Sequence, residues 1–297
     1  MKKNIIIFFI AILIITACSD GNMPPLPKLY PDYNEVELEP VIIKENKFKV
    51  IVPKGYEKIG EKHLQDIGYC WDIVPAFLGL KDPYWDGINV KIMISKDGAS
   101  YGMANQSMGT IKYVRSQENI NDDLDDILTN NEAGFFYKSS PVYCANSHEF
   151  THIMTSKMYL PSWAEEGIAE YSQQINQPGS KENIKCLNDG WYGIDYWNDM
   201  EEKEFEYSDL SEQYDLLESG EGAKWYATAM CFWQDFDKEF GYKKRQKIFE
   251  KLAEEREIIY TDRTPILIND FIKREFQNEK KIEEFLLKFG FEKGIDY

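Results

Sequence analysis

Ser147-His148-Glu149-Phe150-Thr151-His152-Ile153-Met154 is the stretch from which the rest of the chain can be read. It holds two of the three histidines in 297 residues, four positions apart, with a glutamate directly after the first. On an α-helix, positions i and i+4 lie one above the other on one face, so both imidazoles can reach a single ion. The metal–nitrogen distance for zinc would be about 2.0–2.1 Å. Glu149 projects roughly 100° further round the helix axis. It is then too far round to be a third ligand and well placed to hold a water on the ion. An amphipathic core helix with two satisfied histidines is the plain alternative, and the downstream residues weigh against it.

Those residues are Leu160-Pro161-Ser162-Trp163-Ala164-Glu165-Glu166-Gly167-Ile168-Ala169-Glu170-Tyr171. Pro161 ends the first helix. Ser162 can cap a second, with Glu165 three positions on completing a capping box. Only 13 residues separate His152 from Glu166, so the two helices must form a tight hairpin. Acidic residues of the second helix then face the histidines of the first. Two histidines and one glutamate, with a fourth position left for water, is a known catalytic zinc set.

HEFTH followed by LPSWAEEGIAEY resembles the gluzincin metallopeptidases, in particular the small peptidase MA-like proteins. The pattern HExxH…W-x-x-E-G is also that of the aminopeptidase N and leukotriene hydrolase branch. The spacing is shorter here than in the large aminopeptidases, so that second resemblance covers the site and not the whole chain. The resemblance implies an α+β, zincin-like fold. A small N-terminal lobe with a mixed or antiparallel sheet (about 41–158) would precede an all-helical C-terminal lobe (about 159–297), with the two motif helices at the centre. It also implies one zinc per chain, held by His148, His152 and Glu166. Glu165 would be a helix-start residue. Glu170, one turn beyond Glu166 on the same face, would orient a ligand histidine from behind.

Two further expectations follow from the same resemblance. Lys224-Trp225-Tyr226-Ala227-Thr228-Ala229, leading to Phe240-Gly241, is similar to the gluzincin helix whose opening tyrosine stabilises the oxyanion. That role falls to Tyr226, with a packed aromatic as the alternative. In gluzincins a strand beside the active-site helix also pairs with extended peptide substrate, and Gly109 to Val114 is expected as that edge strand. A metzincin would instead need a glycine three residues past His152 and a histidine six past it. Thr155 and Met158 stand there, which excludes that class. His63 could join the site only through a long-range contact and is left out of it.

The expected activity is zinc-dependent hydrolysis of peptide bonds. Zinc lowers the pKa of its bound water towards about 7. Glu149 is the general base that takes the water's proton and later returns it to the leaving amine. Two other readings stay open: an accessory binding lipoprotein on the same fold, and a hydrolase of a non-peptide amide or ester.

At the N-terminus, Lys2 and Lys3 precede a largely apolar run from Ile5 to Ala17. It is too short to span a bilayer and has the form of a signal peptide over residues 1–17. Ile15-Thr16-Ala17-Cys18 resembles a bacterial lipobox, which implies lipidation of Cys18 and a bacterial cell-envelope location, at the outer membrane on its periplasmic or surface face. The following Ser19-Asp20 is similar to the start of many Bacteroidetes lipoproteins. Loss of Lys2 and Lys3 takes the formal charge from −17 to −19. Such a surface repels nucleic acid and anionic headgroups, so the lipid would be the membrane anchor. Five prolines between Asp20 and Pro40 make residues 18–40 an extended tether.

Elsewhere the pattern sets the elements. Val41–Ile43 and Phe48–Val52 form a hairpin candidate about a polar turn, and Ile88–Ile94 alternates as a strand. Glu61 to Leu80 has helical spacing interrupted at Pro75. Asp122-Asp123-Leu124-Asp125-Asp126 lacks the offsets of a calcium loop and is expected as a solvated loop. Residues 176–222, rich in acidic and aromatic residues, could line a substrate cleft or form a pinned surface loop. Trp225, Ala229, Phe232, Trp233 and Phe236 make one helical stripe closed by Gly241. Three more helices are expected at Lys243–Arg256, Pro265–Phe276 and Glu279–Phe289. With Cys18 lipidated, Cys70, Cys144, Cys186 and Cys231 allow three full disulfide pairings.

Overall fold

The structure is a computed structural model of the whole chain. It describes residues 38–81, 85–98, 101–105, 109–129, 144, 146–156, 158, 160–176, 185–187, 190–192, 222–258, 268–276 and 280–289. The expected signal peptide, Cys18 and the tether as far as residue 37 lie outside them, and so does most of 176–222, apart from two short paired strands. The tether's expected end at Pro40 is instead the first residue of a strand. The architecture is mixed α+β, with a five-stranded mixed sheet and, among the described residues, eight helices. The chain divides into two compact units, Met1–Asp72 with Tyr84–Ile153, and Ile73–Pro83 with Met154–Tyr297.

The first unit is built on the sheet. Strand β1 (Pro40–Glu45) turns at Asn46-Lys47 into antiparallel β2 (Phe48–Pro53). Asn46 takes a φ of 50°, a left-handed conformation that asparagine tolerates. Helix α1 (Glu57–Leu78) then crosses to β3 (Ile88–Ser95), which lies parallel to β2. Strand β4 (Tyr101–Asn105) folds back antiparallel on β5 (Thr110–Ser116), and β5 runs parallel to β3. The order is β1-β2-β3-β5-β4. Helix α2 (Gln117–Thr129) follows, and α3 begins at Ser147. Val50, Val90, Ile92 and Ile111 fill the interior of the sheet. Trp71 on α1 packs edge-on against Phe48 of β2 and Phe150 of α3, so α1 couples the sheet to the motif helix. Cys70 of α1 is bonded to Cys144, just before α3.

Three sequence expectations are corrected in this unit. Gly109–Val114 is not an edge strand: β5 is internal, and β4 holds the edge. Five residues broken by glycine gave β4 no visible period, whereas its partner alternates clearly. The acidic run 122–126 is helical, inside α2, and Asp123 is buried with its carboxylate gripped by the Arg115 guanidinium. Burial of Ile120 and a part-buried ion pair outweigh the like charges on the solvent side. Pro75 does not interrupt α1. It comes in the last turn, so only one ladder bond is lost.

The second unit is helical: α4 (Ser162–Asn176), α5 (Gly222–Phe240), α6 (Tyr242–Ile258), α7 (Ile268–Glu275) and α8 (Lys280–Lys288). A short hairpin of β6 (Lys185–Leu187) and β7 (Gly190–Tyr192) also lies here. The α5 stripe forms the core: Phe232, Trp233 and Phe236 are fully buried among Trp163, Phe249, Phe285 and Phe289. Gly241, at φ 85°, ends α5 as read from the sequence. The Trp233 indole N–H donates to the Ala164 carbonyl at 3.0 Å. Gly167 explains how α4 and α5 come so close, since a Cβ there would fall on the carbonyl oxygen of Ala229.

Candidate metal centre

Helix α3 spans Ser147–Thr155 and carries HEFTH whole. Its first bond runs from the Phe150 N–H to the Asn146 carbonyl, at 2.8 Å. The His148 and His152 rings cross at 71° with centroids 4.8 Å apart, and their Nε2 atoms approach to 3.1 Å. Two nitrogens on one tetrahedral zinc at about 2.05 Å stand roughly 3.3 Å apart. Both rings therefore turn the same nitrogen to a common point, at the spacing that one shared ion requires.

Helix α4 opens at Ser162 and follows α3 after a short turn. Pro161 offers its carbonyl to the Ala164 and Glu165 N–H groups. Glu166 is 4% exposed. His148, His152 and Glu166 each offer one ligand atom, and the three atoms lie within 4.8 Å of one another. This group could hold a metal ion, and its donor set of two imidazoles and one carboxylate suits zinc. Glu165, expected as a helix-start residue, is buried and accepts the Thr155 hydroxyl at 3.3 Å. It therefore ties the end of α3 to the start of α4. Glu170 is half-buried one turn beyond Glu166. Tyr226 falls in the first turns of α5, and its side chain is outside the described set.

Glu149 is half-buried, and its carboxylate lies beside the edge strand of the sheet. There β4 passes it at Gly102. A Cβ on Gly102 would stand 2.6 Å from Glu149 Oε1 and 3.0 Å from Tyr113 Cε1. A methyl group at 102 would displace the carboxylate from this place. The sequence reading missed Gly102, because nothing in the pattern links a glycine at 102 to a glutamate at 149.

Asp66, Cys70 and Cys144 form a second cluster of ligand-type atoms. The two cysteines are joined as a disulfide, so neither offers a thiolate and the cluster is structural. Cys231 is also disulfide-bonded. His63, left out of the site, lies buried on α1 and stacked on Tyr113 at 5.0 Å. Burial, and secondarily the Arg115 charge, push its pKa down to about 3. A cavity of about 500 Å³ in the second unit, lined by Phe77, Tyr171, Asp237 and Arg245 among others, contains none of the residues of the metal group.

Comparison of this chain with protein-family models, with curated proteins and with solved structures finds no match.

Proposed function

We propose that this protein is a zinc-dependent peptidase of gluzincin type, lipid-anchored through Cys18 in a bacterial envelope. The observation that carries the reading is the convergence of His148, His152 and Glu166 on one point, with Glu149 on the same helix as the histidines. When bound, zinc supplies a Lewis acid that polarises a water and the substrate carbonyl. Glu149 holds that water by its carboxylate, takes the proton and delivers it to the departing amine. Tyr226 donates its hydroxyl to the developing oxyanion, and Glu170 steadies a ligand imidazole. Strand β4 is the antiparallel edge beside Glu149, and its outer backbone groups suit pairing with an extended peptide. Buried disulfides favour an oxidising compartment and so support the envelope location.

The test is a peptide-library digest by the chain from residue 19, with zinc measured alongside. Wild-type protein should bind about one zinc per chain and cleave. Glu149→Gln should keep the zinc and lose turnover by at least about a thousandfold. Cleavage at the wild-type rate by Glu149→Gln removes that residue from its role. Zinc binding without any cleavage points to the accessory-protein alternative.

A further inference from the structure

Two residues upstream of HEFTH, a line of buried polar groups joins α1 to the start of α3. Asp66 on α1 is fully buried. Its Oδ2 accepts two bonds from Asn146: one from the backbone N–H at 3.0 Å, the other from the side-chain amide. The Asn146 amide oxygen in turn accepts the Tyr113 hydroxyl, and its backbone carbonyl accepts the first helical N–H of α3. Tyr113 Cε1 and the Glu149 carboxylate crowd the same point above Gly102. One helical turn beyond Asp66, Cys70 holds Cys144 covalently. The chain entering α3 is therefore fastened twice to one face of α1, by a disulfide at residue 144 and a pair of hydrogen bonds at 146.

A carboxyl group is an expensive way to make a structural link in a fully buried place, since its desolvation must be offset by the bonds it makes. Stability alone is served by the adjacent disulfide. What the carboxylate adds is direction. Both Asn146 donors aim at one oxygen, which fixes the rotation of the residue that opens the helix and so the azimuth of His148 and Glu149 behind it. We infer that Asp66 and Asn146 are positioning residues that set the opening turn of α3, and with it the His148 ligand and the Glu149 carboxylate. The inference about Glu149 rests on the proposed function, whereas the inference about His148 needs only metal binding.

The experiment compares wild type with Asp66→Ala and Asp66→Asn, the latter keeping one acceptor oxygen. Amide exchange at Phe150 is read first, in the metal-free protein, because its N–H bonds directly to Asn146. Zinc affinity by chelator competition and kcat against KM follow. Asp66→Ala should speed Phe150 exchange at least tenfold, weaken zinc about 10–100-fold and lower kcat with KM nearly unchanged. Asp66→Asn should recover most of each. If Asp66→Ala does not fold, Asn146→Ala, which keeps the backbone bond to Asp66, takes the same measurements. Wild-type exchange and zinc affinity in the alanine variant overturn the inference. A wild-type protein that cleaves nothing defeats the proposed function alone, and exchange and zinc affinity then decide the positioning role.

Discussion

Gly102 is where a missing side chain matters most. Glu149 Oε1 lies 2.6 Å from the place its Cβ would take, closer than Cβ contacts allow. In Gly102→Ala the carboxylate, at the end of a flexible side chain, must move and the strand stays put. We expect thermal stability to fall by no more than about 1 kcal/mol and kcat to fall about 10–100-fold with zinc retained. A large loss of Tm with normal kcat would mean that the strand moved instead. His63 makes a different statement. Its folded pKa of about 3 lies below the usual 6.5, so the unfolded chain binds this proton first as pH falls. Between roughly pH 6.5 and 3, stability should therefore decrease on acidification, with a contribution from this group of at most about 1.4 kcal/mol per pH unit. His63→Phe should flatten that part of the unfolding profile measured in urea; an unchanged slope assigns the acid lability to other groups.

Among elements, α4 and α5 meet backbone on backbone at one point. Gly167, next to the candidate ligand Glu166, leaves room for the Ala229 carbonyl. No rotamer relieves a methyl group there, so the helices must separate. Gly167→Ala should cost about 2–3 kcal/mol and weaken zinc binding, because α4 carries Glu166. A variant with full zinc affinity and wild-type Tm would show that the helices shift freely. Helix α3 shows the opposite logic. With nine residues it is too short to be stable alone, and it is fastened at both ends. Asn146 and Cys144 anchor its start to α1, and the Thr155–Glu165 bond anchors its end to α4. The break between α3 and α4 was legible in Pro161 and Ser162. The role of Glu165 was not, because a capping glutamate and a buried acceptor look alike in sequence.

For the whole molecule, the Cys70–Cys144 bond closes a sequence separation of 74 residues. In the chain-entropy description a loop of that size is worth about 4 kcal/mol through the unfolded state. Replacing both cysteines with alanine should lower unfolding free energy by about that amount, read from urea midpoints at constant m. A change under about 1 kcal/mol would mean that the non-covalent contacts between α1 and the α3 entry already restrain the chain. Of the three pairings open in the sequence, the fold brings Cys70 to Cys144. The sequence offered no basis for choosing, since pairing depends on the meeting of α1 with a loop far along the chain.

What the amino acids determined alone is local. The i, i+4 histidines, the proline-bounded start of α4, the strands β1–β3 and the aromatic stripe of α5 follow from helix and strand periods within a few residues. Tertiary structure decided everything that joins distant positions: which strand is the edge, how residue 102 comes to lie against Glu149, and how Asp66 reaches Asn146 across 80 positions. Periodicity reports which face of an element is apolar, but not which element that face will meet. Only packing sets the neighbours, and here the neighbours of α3 define the candidate site.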